Sequence, residues 1–188
     1  FIDAFKLNLL VATVVGVLFF YLWARLFLGN AASLTAAVFY AFAPYRFVDI
    51  YVRGSVGEVW ALAFFPAFLW SITYFFKNKK IGYFVLSSLL LAATIFSHNI
   101  LALMFVLFGI TYAAFLIMQA KERRLLIANC VLLIVLALSL SAVFWLPALV
   151  ETQYVRGLQI YDVDANFPEL FQLLIPSLGT GFSGGSFD

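Results

Sequence analysis

Tyr45-Arg46-Phe47-Val48-Asp49-Ile50-Tyr51-Val52-Arg53-Gly54-Ser55-Val56-Gly57-Glu58-Val59-Trp60 carries four charges and two glycines between two apolar runs, Ala31–Pro44 and Val56–Phe76. A charged segment wedged between lipid-soluble helices either sits at a membrane interface or lines a polar cavity. The reading of the whole chain turns on that choice.

The surroundings fix the class. Of the 188 residues, 65% are hydrophobic and 11% charged, and the mean hydropathy is +1.07. Soluble domains carry roughly 25% charge. The composition therefore indicates an integral membrane protein built from helices. The 23 Phe, 9 Tyr and 4 Trp suit lipid-facing and interfacial positions. A net charge of +2, with no basic run interleaved with aromatics, gives no sign of nucleic-acid binding. Cys130 is the only cysteine and His98 the only histidine, so disulfide frameworks and multi-Cys or multi-His metal sites are excluded.

Working outward, the apolar runs predict about six membrane spans in an all-α bundle. Leu7–Trp23 is uncharged and continues to Leu28, with Arg25 able to snorkel, and Gly29-Asn30 closes it. Ala31–Pro44 reaches spanning length only by continuing through Tyr51, and its small residues suit close packing. Val56–Phe76 follows, with Pro66 expected to kink it. Ile81–Ser97 and Ile100–Gln119 form a hairpin around His98-Asn99. Leu125–Leu149 is the last span, ending near Pro147. Residues 1–150 thus read as a transmembrane core and 151–188 as an external juxtamembrane segment. The opening lacks a basic n-region and a small-residue cleavage site, so it reads as part of a longer polytopic protein rather than a signal peptide.

Charge sets the orientation. The clusters Lys77-Asn78-Lys79-Lys80 and Lys121-Glu122-Arg123-Arg124 are separated by one hairpin and must share a side. Positive-inside logic makes that side cytoplasmic, at an inner (plasma) membrane. Arg25, Lys77, Lys79, Lys80, Lys121, Arg123 and Arg124 then lie inside against Glu122. Outside, Lys6, Arg46, Arg53 and Arg156 face Asp3, Asp49, Glu58, Glu151, Asp162, Asp164, Glu169 and Asp188.

In the tail, Asn166-Phe167-Pro168-Glu169 has the signature of a helix start. Leu170–Ile175 is an interfacial candidate stopped by Pro176. The glycine-rich Gly179–Ser186 lacks the Lys-Ser/Thr ending of a phosphate loop and reads as a flexible linker.

This topology gathers Arg46, Asp49, Arg53, Glu58, His98, Asn99, Glu151, Tyr154 and Arg156 on the external face. Arg46, Asp49 and Arg53 stand at i, i+3 and i+7. On an α-helix they share a face and form two ion pairs. They serve either as a solvated interfacial ladder or, through their guanidinium groups, as an anion site. Ser55-x-x-Glu58 has the spacing of a capping box, and Glu58 either caps the next helix or also faces the cavity. His98 is either a solvated turn residue or a group able to donate to phosphate or accept a proton. Asn99 suits the turn itself. Glu151 is either an interfacial helix end or a cavity residue.

An Ala-rich helix ending Ala43-Pro44-Tyr45-Arg46, then Asp49-x-Tyr51-x-Arg53-Gly54, Gly57-Glu58, Phe65-Pro66 and a later Ser97-His98-Asn99 resemble the bacterial membrane family labelled 6-pyruvoyl-tetrahydropterin-synthase-related. That family is similar to YfhO-like proteins and, more distantly, to GT-C glycosyltransferases. A soluble pterin enzyme would not have this composition. The resemblance implies a GT-C-like bundle that transfers sugar from a polyprenyl-phosphate donor at the external face, with membrane lipid and a lipid-linked sugar as partners. It implies substrate contacts for Arg46, Arg53 and His98, supported by Asp49 and Glu58. It places the catalytic acid before Phe1, so no residue here is assigned as the base, and no cofactor or metal is assigned. A transporter or flippase for anionic substrates and a non-catalytic membrane scaffold are the other classes the residues admit.

Overall fold

A computed structural model of the chain describes residues 2–154, and every described element is helical. The helices are α1 (Ile2–Ala24), α2 (Asn30–Ala41), α3 (Pro44–Phe47), α4 (Val56–Asn78), α5 (Ile81–Ser97), α6 (Asn99–Gln119), α7 (Arg123–Leu140) and α8 (Ala142–Glu151). A π-helical turn, Val48–Arg53, joins α3 to α4, and a 3₁₀ turn, Thr152–Tyr154, follows α8. The chain divides into two units between Trp145 and Leu146. Arg156, Asn166–Glu169, Leu170–Ile175 and Gly179–Ser186, singled out in the sequence, lie outside the described residues.

Four helices, α1, α4, α6 and α7, are long and apolar enough to cross a membrane. At about 1.5 Å per residue, 18 to 23 residues cover most or all of a hydrocarbon core of roughly 30 Å. The apolar α5 has 17 residues. Their surroundings differ sharply. In α4, 67% of the apolar window is buried, against 22% in α1 and 17% in α6 and α7. Helix α4 is therefore the centre of the bundle, apolar on all sides because protein surrounds it, while the others turn residues such as Leu103, Leu107 and Phe108 outward.

Two of the six expected spans are not continuous. The run from Ala31 through Tyr51 breaks at Ala43, which is extended (φ −58°, ψ 130°). Pro44 explains it. A proline disfavours the α region in the residue before it, and its fixed φ suits the first position of a new helix. Helix α2 is thus only 12 residues long. Of its small residues, Ser33 and Ala37, one turn apart, are buried. The run Leu125–Leu149 breaks at Ser141, whose hydroxyl donates back to Ala137 O at 2.8 Å, so Pro147 falls inside α8 instead of ending a span.

Helix α4 packs closely on α1 and α5. Ala12, Ala61, Ala63 and Ala67 are fully enclosed, and a Cβ on Gly16 would come within 3.1 Å of Ala63 Cα. The apolar core runs from Phe65, Phe68, Ile72 and Phe75 of α4 to Phe84, Leu91 and Ile95 of α5 and to Leu126 and Leu133 of α7. Polar pairs tie helices together where lipid offers no hydrogen bonds. Ser87 donates to Ser71 at 2.9 Å, and Ser71 to Tyr83 O at 3.1 Å. Trp23 donates to Tyr112, whose hydroxyl is 2.6 Å from that of Thr73.

The basic turns lie together. Lys79 Nζ lies 3.5 Å from Glu122, and Lys77 Nζ sits 5.6 Å from the centre of the Phe27 ring. The α1–α2, α4–α5 and α6–α7 turns therefore share one end of the bundle. The charged stretch lies at the start of α4, at the other end.

Pro66 sits inside α4 and has no N–H, so Leu62 O lacks its usual helical donor. The Tyr40 hydroxyl donates to that carbonyl. Tyr40→Phe is expected to destabilise the protein by about 1 kcal/mol. In a Pro66→Ala background, where the backbone N–H is restored, the same change should cost less. A double-mutant cycle read by thermal unfolding in detergent checks this; equal costs in both backgrounds would refute it.

Candidate functional site

At the start of α4 a buried carboxylate organises its neighbours. Glu58 is 1% exposed. Arg53 grips it as a fork, Nη2 to Oε1 at 2.6 Å and Nη1 to Oε2 at 2.9 Å. The Tyr45 hydroxyl also donates to Oε2, and His98 Nε2 stands 3.5 Å from Oε1. Groups from α3, the π turn, α4 and the α5–α6 turn thus meet on one side chain. Two-point pairing of this kind is among the strongest a carboxylate makes. Burial, and then the bond to Glu58, push the Tyr45 hydroxyl up to about 12, so it stays protonated as a donor.

The capping box is not formed. The Ser55 side chain makes no cap bond, and its N–H goes to Asp49 O at 3.0 Å, the partner it would have given up to the Glu58 carboxylate. Glycine geometry accounts for the alternative. Gly54 ends the π turn in the left-handed region (φ 59°), which glycine adopts without steric cost. A Cβ on Gly57 would lie 2.3 Å from Ser97 O. Only glycine lets the start of α4 touch the end of α5, and that contact brings His98 beside Glu58.

His98 bridges α5 and α6 with extended backbone. Its Nδ1 accepts from Leu101 N at 3.2 Å, capping α6. The ring proton of the neutral form is therefore on Nε2, which faces Glu58. Asn99 is exposed and its Oδ1 accepts from Ile100 N at 2.9 Å, a local turn bond. Glu151 and Tyr154 lie exposed in the second unit.

The expected face of Arg46, Asp49 and Arg53 forms only in part. Arg53 Nη1 and Asp49 Oδ1 are 3.6 Å apart, but among the described residues Arg46 makes no ion pair. The π turn widens the helix after Phe47 and changes the register on which the i, i+7 spacing relied. Arg53, 48% exposed in its side chain, stays at the surface. Arg46 is 2% exposed, its guanidinium carbon 5.0 Å from the Tyr40 ring centre, and its Nη1 would meet a Cβ on Gly16 at 3.5 Å. It points into the seam of α1 and α4, so a solvated ladder does not describe it. Its three nitrogens and both Asp49 carboxylate oxygens are buried without hydrogen-bond partners.

The roles of Tyr45 as donor and of Gly57 as contact point are not separable in sequence from ordinary interfacial and hinge residues. A tyrosine 13 positions before an acid gives no signal of its own. Among the described residues no group of three or more His, Cys, Asp or Glu is placed to hold a metal ion.

A bundle of apolar helices around a buried centre, with a charged cluster at one end, defines a polytopic membrane protein. The chain belongs to the 6-pyruvoyl-tetrahydropterin synthase related domain family of membrane proteins, whose sequence model matches residues 1–180. No curated protein and no solved structure matches it.

Asp49 provides a measurable signature. Burial, and then its contact with Glu58, push its carboxyl up to about 7, with Arg53 and Arg46 opposing. The folded protein therefore holds this proton more tightly than the unfolded chain. That contribution is complete below the ordinary carboxylate range, near pH 4, and is lost as pH rises through about 7. The unfolding temperature should fall between about pH 5 and pH 8, and Asp49→Asn should flatten that slope. An unchanged slope in the variant would refute the assignment.

Proposed function

We propose that the chain is the helical core of a glycosyltransferase-like membrane protein of GT-C type that handles a polyprenyl-phosphate-linked sugar at the external face. One observation carries this reading. Arg53 and Asp49 of the π turn, Glu58 of α4 and His98 of the α5–α6 turn converge at the bundle end opposite the basic turns. Convergent polar groups at one end of an apolar bundle are how membrane proteins make a substrate site. Arg53 keeps half its surface free while Glu58 fixes its angle, which suits a cation presented to a phosphate at headgroup depth. Asp49 and Glu58 act as support for the arginines, and His98 holds Glu58 from the far side.

The test is made in the native host with the full-length protein. Arg53→Gln and Glu58→Gln should each lower transfer of the lipid-linked sugar by about tenfold or more, equivalent to roughly 1.4 kcal/mol of transition-state stabilisation. The unreacted lipid-linked donor should accumulate while the protein stays in the membrane at normal levels. Normal transfer in both variants would overturn the reading. A transporter or flippase is the second reading, and the inward-pointing Arg46 beside the break at Ala43 favours it, since such proteins place charge at broken helices. Movement of a labelled lipid across proteoliposomes without sugar transfer would select it.

We also propose that the end bearing Lys79 and Glu122 faces the cytoplasm of an inner (plasma) membrane, as the excess of basic residues there supports. With Cys130 replaced by Ser, a cysteine at Asn99 should react with an impermeant reagent in intact cells. One at Lys80 should react only after permeabilisation, and the opposite pattern would reverse the topology.

A further inference from the structure

Glu58 takes up Arg53, leaving two ionisable side chains that satisfy each other poorly or not at all. Arg46 has three buried nitrogens with no hydrogen-bond partner, and Asp49, three residues on, has two buried oxygens with none, its one ion-pair contact being the 3.6 Å approach of Arg53. They do not form an ion pair, although one helical turn separates them in sequence. Burying an unpaired guanidinium costs several kcal/mol, and arginine does not release its proton to avoid that cost. An anion would remove it. The packed helices set no negative charge against the guanidinium: α1 contributes Gly16, α2 contributes Tyr40, its ring under the guanidinium and its neutral hydroxyl bonded to Leu62 O, and α4 contributes the backbone around Leu62 and Ala63.

We propose that Arg46 anchors an oxyanion site in the seam between α1 and α4, and that an anion of single charge, such as a phosphodiester, enters it together with one proton carried on Asp49. For a lipid-linked ligand the proposal rests on the function proposed above; the site itself does not require sugar transfer. The charges make the coupling. The groups that face Asp49 are Arg46, Tyr45 and Arg53 from its own segment and Glu58 from α4, with His98 of the α5–α6 turn acting through Glu58. With Glu58 and Arg53 paired and Asp49 protonated, Arg46 is the surplus charge and attracts one negative charge. With Asp49 ionised, the cluster is neutral, Asp49 offsets Arg46, and the net attraction for an incoming anion is gone. Gly16 matters because a Cβ there would crowd Ala63 Cα at 3.1 Å and fill the space beside the guanidinium at 3.5 Å.

The experiment uses the full chain purified into lipid nanodiscs. The probes are farnesyl methyl phosphate and dimethyl phosphate, whose phosphodiesters hold one charge at every pH used, with farnesol as the uncharged control. Affinity is measured from about pH 6 to pH 8.5, with proton uptake followed in weak buffer. The expected result is saturable binding that weakens by about tenfold or more across this range as the binding-competent form is depleted, with up to one proton taken up at the alkaline end. Arg46→Gln should abolish binding and Arg46→Lys should retain part of it. Asp49→Asn, which imitates the protonated side chain, should bind at the low-pH level at all pH values. Tighter binding of the farnesyl probe assigns the site to a lipid headgroup, and equal binding of dimethyl phosphate assigns it to a free oxyanion. Binding that is flat with pH in the unmodified protein overturns the coupling, and binding unchanged in Arg46→Gln, or matched by farnesol, overturns the site. Normal sugar transfer in cells carrying Arg53→Gln or Glu58→Gln, with probe binding in nanodiscs intact, would count against the transferase reading alone.

Discussion

The bidentate pair between Arg53 and Glu58 fixes the end of the bundle at which charge can exist. Glu58 begins the helix that is buried on every side, so its carboxylate lies where an unpaired charge would cost several kcal/mol. It is tolerated because three side chains from other elements reach it. Each of those donors depends on a separate piece of local geometry. Arg53 depends on the π turn that ends in left-handed Gly54, Tyr45 on the short helix restarted by Pro44, and His98 on the contact that Gly57 allows with Ser97. Removing the carboxylate would leave these features without a common purpose. Removing any one of them would leave the carboxylate under-solvated.

The same pair explains why the segment between α2 and α4 is not a regular helix. A continuous α-helix from Ala31 through Arg53 would put Arg46, Asp49 and Arg53 on one stripe, facing water together or lipid together. The break at Ala43 and the wider turn after Phe47 separate them instead. Arg53 is sent to the surface and to Glu58, and Arg46 to the interior. One stretch of chain thereby supplies both a structural cation and an unpaired one. The pattern is stable only because neighbouring groups repair the local damage, as the Tyr40 hydroxyl does for the carbonyl that Pro66 leaves free in the facing helix.

Much of this was legible in the sequence. The helical membrane class, the positions of four long spans, and the grouping of both basic clusters at one end follow from apolar run length and charge alone, because lipid imposes those rules on any chain. Arg53, Asp49, Glu58 and His98 could be placed at the same end by the same logic. Their pairings could not. Ser55-x-x-Glu58 fits a capping box, and local rules have no means of knowing that Arg53, held five residues earlier by a π turn, competes for that carboxylate. The i, i+3, i+7 spacing assumes 3.6 residues per turn and fails where the turn widens. Gly57 looks like a hinge until the neighbouring carbonyl of Ser97 is seen, since a close approach between distant segments leaves no periodic trace. For the same reason, α2 looks long enough to span only if Pro44 is read as tolerated rather than as a restart.

The asymmetry between the two arginines is the most consequential difference between pattern and structure. Read as a pair, they are equivalent cations at the mouth of a cavity. In the fold, Arg53 already has its counter-ion, and a phosphate approaching it must compete with Glu58 at 2.6 Å. Arg46 has no such competitor, and its aromatic neighbour Tyr40 contributes a ring face rather than a negative charge. Electrostatic attraction for an incoming anion is therefore strongest at the interior group, while the surface group is better suited to guide and orient. A ligand with a charged head and an apolar chain fits that order, because the head can pass Arg53 at the interface and settle against Arg46 while the chain remains in lipid.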